Sequence, residues 1–99
     1  MKLIIAVVRP FTIERLVVSF EEIKNFPGMT MTDAAGFGRG LRSAEMDPID
    51  PFRRNRRIEI VCEDDIAEQV VGVIRKVAHT GRRGDGIVYV LPVDKLDGI

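Results

Sequence analysis

Two stretches of the chain carry apolar residues at spacings of three and four, the repeat of a helix that buries one face. The first stripe contains Ile13, Leu16, Val17, Phe20 and Ile23, and the second contains Ile66, Val70, Val73, Ile74 and Val77. Thr12 is predicted to cap the first helix, while Asp65 and Glu68 form a capping-box pattern at the start of the second. A glycine that can end a helix follows each stripe, at Pro27-Gly28 and at Thr80-Gly81.

Four strand-like runs surround these two helices. A continuous apolar run from Leu3 to Val8 is typical of a strand covered on both faces. The others are a weak alternation after Met29, an alternation from Ile58 that places Cys62 in the core, and a β-rich run from Ile87 to Val93. The order β-α-β-β-α-β predicts an α+β, ferredoxin-like fold, a four-stranded antiparallel sheet with both helices on one face.

Composition narrows the function classes. The 99 residues fit one domain spanning 1–99, and 15 basic residues balance 15 acidic ones. Bulk charge therefore gives no attraction to nucleic acid or to a membrane surface, and neither is expected as a partner. The apolar run at the start is too short to span a bilayer, so membrane insertion is not expected and the cytoplasm is the expected location.

Two glycine-rich motifs stand outside the periodic segments. They are Gly36-Phe37-Gly38-Arg39-Gly40 after the second strand and Thr80-Gly81-Arg82-Arg83-Gly84-Asp85-Gly86 before the fourth. Glycine lets the main chain approach an anion closely, and consecutive N–H groups form a concave phosphate-binding nest. Arg82 and Arg83 could add charge-assisted hydrogen bonds to that anion. The alternatives are a bulged strand end for the first motif and a helix C-cap with a turn for the second.

Two further stretches add to these motifs, namely Arg9-Pro10-Phe11 and Arg57-Ile58-Glu59-Ile60-Val61. With them, the chain resembles the PII signalling family along almost its whole length. The resemblance implies a non-catalytic homotrimer that binds an adenine nucleotide (ATP, ADP or AMP) in three clefts between subunits, with no metal required. It also implies nitrogen regulation through a flexible loop at about 40–55. The segment from Leu41 to Arg54 would dock on a membrane transporter or a metabolic enzyme.

The resemblance also assigns the nucleotide contacts by position. The adenine and ribose would be surrounded by Val7, Thr30, Gly36, Glu59 and Val61, and the phosphates approached by Gly38, Arg39, Gly84, Asp85 and Gly86. Arg82 and Arg83 lie beside the second motif and complete the predicted set.

Several positions depart from the family pattern. Ile87 stands where the family has a lysine, Gly40 where it has a glutamine, and Asn55 where it has a further lysine. The loop is shorter and lacks the modified tyrosine, and no arginines follow the last strand. These departures predict loss of 2-oxoglutarate sensing and of uridylylation, and they favour ADP or AMP over ATP.

Three alternatives remain open at this point. The arginine-rich run at 53–57 is typical of a solvated sheet edge, but it also suits a sensor of another small anion such as bicarbonate. A structural trimer with a decayed nucleotide site would also explain the missing basic residues. An enzyme is the weakest alternative, since the sequence has no convincing nucleophile or acid–base set.

Overall fold

Four antiparallel strands carry two helices on one face in the computed structural model, which describes residues 1–38 and 50–99. The elements are β1 (Lys2–Val8), a 3-10 turn (Pro10–Thr12), α1 (Ile13–Glu21), β2 (Thr30–Gly36), β3 (Arg53–Cys62), α2 (Asp64–Ala78) and β4 (Gly86–Pro92). The strands lie in the order β2-β3-β1-β4. This topology confirms the predicted α+β, ferredoxin-like fold. In the described ranges, none of the helices is both long and apolar enough to cross a membrane.

The core lies between the helices and the two inner strands. Alternate residues of β1 and β3 point toward the helices, as the two-residue period of a strand requires. The most deeply buried members are Ile4, Ala6, Val8, Ile58 and Ile60 from the sheet and Leu16, Phe20, Val70 and Ile74 from the helices. Cys62 joins them at 4% exposure, which confirms its predicted place in the core. Burial raises the pKa of its thiol, and the nearby Asp65 carboxylate adds to that effect.

Both predicted helix caps are wrong. Thr12 is buried, and its hydroxyl donates to the carbonyl of Arg9 at 2.8 Å because Pro10 starts a 3-10 turn one step earlier. The second helix begins at Asp64, and no side chain caps it. Asp64 instead pairs with the α-ammonium of Met1 at 2.7 Å, and this hydrogen bond lowers the pKa of its carboxyl group. The acidic first turn still suits the positive end of the helix dipole.

The arginine-rich run forms a sheet edge only in part: Arg53, Arg54 and Asn55 pair with β2 alone, whereas Arg56 and Arg57 pair with both β2 and β1. β3 begins at Arg53 and lies between β2 and β1, but β1 ends at Val8 opposite Arg56, so the run is flanked on both sides only from Arg56 onward. Three of the guanidinium groups form ion pairs with carboxylates: Arg54 with Asp50 at 3.0 Å, Arg56 with Asp33 at 2.7 Å, and Arg57 with Glu59 at 2.9 Å. Long side chains carry their charge away from the strand, which lets the backbone pair on both sides.

The face of the sheet opposite the helices is apolar along β1 and β4 and carries polar side chains along β2 and β3, including Thr30 and Glu59. In the single chain its β4 side chains are exposed, whereas Ile5 of β1 is 5% exposed. The register places Leu3, Ile5 and Val7 of β1 beside Leu91, Tyr89 and Ile87 of β4, all on this open face. Ile87 and Tyr89 are 61% and 44% exposed. An exposed apolar patch of this kind is typical of an interaction surface.

Candidate functional site

The two glycine motifs lie at the same end of the sheet. β2 ends there at Gly36, which is opposite Arg53, and β4 begins there at Gly86, which is opposite Val8. Two strands separate β2 from β4. At the usual strand spacing, the motifs are therefore about 14 Å apart across the sheet.

The loop between α2 and β4 is organised around the Asp85 carboxylate. Its oxygens accept hydrogen bonds from the N–H of Thr80 at 2.6 Å, the N–H of Gly81 at 3.1 Å, and the Thr80 hydroxyl. His79 Nδ1 lies 3.7 Å away. The Thr80 hydroxyl, then the two N–H groups and the nearby His79, hold the pKa of Asp85 below its ordinary value. The side chain of Asp85 is thus directed at its own loop, which leaves its backbone for a ligand.

At two glycines of this loop, a side chain would be strained or would clash. Gly84 has φ +77°, in the left-handed region that other residues rarely adopt. Gly86 has φ +140°, and a Cβ there would overlap the carbonyl oxygen of Val7 and lie 3.2 Å from the Cα of Val8. The close approach of β4 to β1 therefore requires glycine at position 86.

A cluster of guanidinium groups borders the same end of the sheet. Arg9 Nη1 donates to the Arg54 carbonyl at 2.7 Å and to Asn55 Oδ1 at 2.6 Å. Burial, followed by the charge of Arg53, lowers the pKa of the Arg9 guanidinium. Sequence reasoning did not place Arg9 or Arg53 in the site; the arginine run at 53–57 was the available signal.

Most of the predicted adenine contacts lie on the open face. Thr30 of β2 is directly opposite Glu59 of β3, and Val61 follows on the same face. Val7 is opposite Arg57, whose guanidinium pairs with Glu59. Gly36 and Gly38 are at the end of β2, and Arg39 lies outside the described residues. The structure therefore divides the predicted contacts between the open face and the loop end of the sheet.

A cleft of about 260 Å³ lies between the end of α2 and the start of β4, lined by Ile74, Ala78, His79, Asp85 and Val88, among others. It is on the helix side of the sheet, whereas Thr30, Glu59 and Val61 are on the other side. This cleft does not unite the predicted contacts. Across residues 1–38 and 50–99, we find no cluster of His, Cys, Asp and Glu side chains able to hold a metal ion.

Asp85→Asn is expected to lower the melting temperature at neutral pH and to flatten its acid dependence. The folded-state pKa of Asp85 is depressed, so the unfolded chain takes up the proton first as the pH falls. The stabilisation is present above about pH 4 and disappears below it. Melting curves from pH 7 to pH 2 should show the difference between wild type and variant shrinking with acid. Asp94→Asn, in the exposed tail, serves as control, and a constant difference for Asp85→Asn would refute the assignment.

These features define a class of small regulatory domain, a ferredoxin-like unit with glycine-rich loops at one end of its sheet. The family model for nitrogen regulatory protein P-II matches residues 1–99, and the chain belongs to that family. The resemblance stated from sequence is confirmed. The chain is accordingly a P-II signalling protein, from a family of regulators that bind small effector molecules and act on partner proteins.

Similar proteins carry the same description. The nitrogen regulatory protein P-II of Azospirillum brasilense is 35% identical over 100 residues, covering 97% of this chain and 88% of the relative. That of Bradyrhizobium diazoefficiens is 36% identical over 99 residues, covering 96% and 88%. That of Rhizobium meliloti is 34% identical over 100 residues, covering 97% and 88%.

Proposed function

We propose that this P-II protein is a cytoplasmic homotrimer that binds an adenine nucleotide in the clefts between its subunits, without catalysing a reaction. The nucleotide state would then control docking of the segment from Leu41 to Arg54 on a membrane transporter or metabolic enzyme. The observation that carries the proposal is the arrangement of both glycine motifs at one end of the sheet. The open apolar face supports a trimer, because association would cover it.

The preference for a particular nucleotide follows from the basic residues near the loop. Position 87 is an isoleucine that faces the open side of the sheet, so it adds no cation for a third phosphate. Asp85 is itself an anion, so its carboxylate, which accepts hydrogen bonds within the loop, would disfavour a third phosphate nearby. ADP or AMP is therefore the favoured effector over ATP.

Titration calorimetry of the purified protein tests this proposal. We expect saturable binding of one ADP per chain with a dissociation constant on the order of 10 μM, about −7 kcal/mol, and weaker binding of ATP. Absence of heat with ADP, AMP and ATP at millimolar concentration, from a well-formed trimer, would reject it. That outcome would instead support a structural trimer with a decayed site.

A sensor of a small anion is the second candidate, and the guanidinium cluster favours it. Arg9 and Arg53 lie close enough for the charge of one to lower the pKa of the other, so an anion between them would relieve their repulsion. Bicarbonate should then bind, and its affinity should change with ADP by the same factor by which bicarbonate changes the affinity for ADP. Independent or absent binding would leave the nucleotide as the effector.

A further inference from the structure

One residue contacts both glycine motifs, the first through its backbone and the second through its side chain. Arg53 is the first residue of β3, and its backbone is opposite Gly36 in the ladder between β2 and β3. Its Nη1 also donates to the carbonyl oxygens of Arg83 at 3.4 Å and Gly84 at 3.3 Å. Arg53 thus links the end of β2 to the loop before β4, although two strands separate β2 from β4 in the sheet.

The position of this guanidinium fixes the direction of two peptide groups. A trans peptide is planar, so its N–H points opposite to its C=O. With the carbonyls of Arg83 and Gly84 turned toward Arg53, the N–H groups of Gly84 and Asp85 are turned away from it. Gly84 is in the left-handed region, and such a residue within a turn brings successive N–H groups into a concave anion nest.

We propose that Arg53 is a positioning residue that holds the 83–85 peptides with their N–H groups outward and so couples a phosphate on this loop to the base of the segment at 39–52. The proposal rests on the proposed nucleotide binding and adds the residue that transmits it. A phosphate would draw the two N–H groups together, which strengthens the carbonyl contacts on the other side through hydrogen-bond cooperativity. The start of β3 would then be held more firmly when the nucleotide is bound.

The other arginines of the run have different partners. Arg54, Arg56 and Arg57 all pair with carboxylates, whereas Arg53 contacts backbone carbonyls. Within the described ranges, no carboxylate lies within ion-pair distance of Arg53. Its charge therefore stays available to raise the positive potential of the loop, which also favours a phosphate there.

Arg53→Gln tests the coupling, with the adjacent Arg54→Gln as matched control because the Arg54 side chain, among residues 1–38 and 50–99, hydrogen-bonds Asp50 and not the loop at 83–85. Calorimetry should show the affinity for ADP falling about tenfold in Arg53→Gln and changing less than about twofold in Arg54→Gln. Adenosine has no phosphate, so its affinity should change little in either variant. Arg53→Lys should recover part of the loss, since it keeps the charge but not the planar fork.

Hydrogen exchange distinguishes the proposed coupling from a merely structural role of Arg53. In wild type and Arg54→Gln, ADP should slow amide exchange at 50–55, and in Arg53→Gln this protection should disappear. Undiminished ADP affinity or undiminished protection in Arg53→Gln would overturn the proposal, as would an equal loss for ADP and adenosine. If wild type binds no nucleotide, the proposed function fails. Exchange at Gly84 and Asp85 in the free protein would then decide alone whether Arg53 holds the loop: faster exchange in Arg53→Gln supports it, and unchanged exchange refutes it.

Discussion

Gly86→Ala is expected to lower the free energy of unfolding by about 4 kcal/mol, as the sum of overpacking and backbone strain. The new Cβ would overlap the carbonyl oxygen of Val7, and the neighbouring Cα of Val8 would be 3.2 Å away. Both are backbone atoms of β1, which at these positions is paired with β3 as well as β4, so they cannot turn aside as a flexible side chain would. The residue must also keep φ near +140°, where alanine is strained.

Urea denaturation at fixed protein concentration measures this loss. Gly72→Ala is the matched control, since Gly72 lies within α2 and a Cβ there meets nothing within 4 Å. That variant should be more stable by about 0.5–1 kcal/mol, because alanine is the better helix former. Equal stabilities for Gly86→Ala and wild type would mean that β4 does not approach β1 as closely as described.

Tyr89→Asp is expected to dissociate the trimer. Tyr89 lies opposite Ile5 on the open face and is 44% exposed in the single chain. If the subunits cover this face, the carboxylate must enter an apolar interface without a partner, at a cost of several kcal/mol in each subunit. Sedimentation should then show a mass near the 11.1 kDa of one chain instead of three times that value.

Nucleotide binding should be lost together with the trimer, because the proposed clefts form between subunits. Val18→Asp is the control: Val18 is an apolar residue on α1 with 59% exposure, on the opposite side of the sheet from Tyr89. Its substitution should leave the trimer intact. If the trimer persists in Tyr89→Asp, the open face is not the contact surface. If the wild type is monomeric, the proposed trimer is wrong.

Local pattern predicted the elements well, because strand and helix periodicity reflect which residues of a segment face the core. The stripe from Ile66 to Val77 and the run from Leu3 to Val8 both match the structure closely. The caps failed for a reason that is also physical. Whether Thr12 caps a helix depends on where Pro10 starts the first turn, and Asp64 has an alternative partner in the Met1 ammonium.

The start of β3 is a second place where the local sequence did not predict the structure. Residues 53–57 have the composition of an exposed loop or edge, and only the pairing with β2, and from Arg56 onward also with β1, makes them part of a strand. That pairing is between segments far apart in the chain, so no window of sequence contains it. The predicted nucleotide contacts remain predictions, because the single chain divides them between the open face and the loop end of the sheet.

The sequence by itself determined the order of the strands and helices, the core, and the two glycine motifs on which the family resemblance rests. Each of these follows from side-chain chemistry within a short stretch of chain. The tertiary structure decided that Gly86 has no room for a side chain while Gly72 has, and that Arg53 among several arginines contacts the loop at 83–84. These facts depend on through-space distances between distant segments, which only the packing of the folded chain sets.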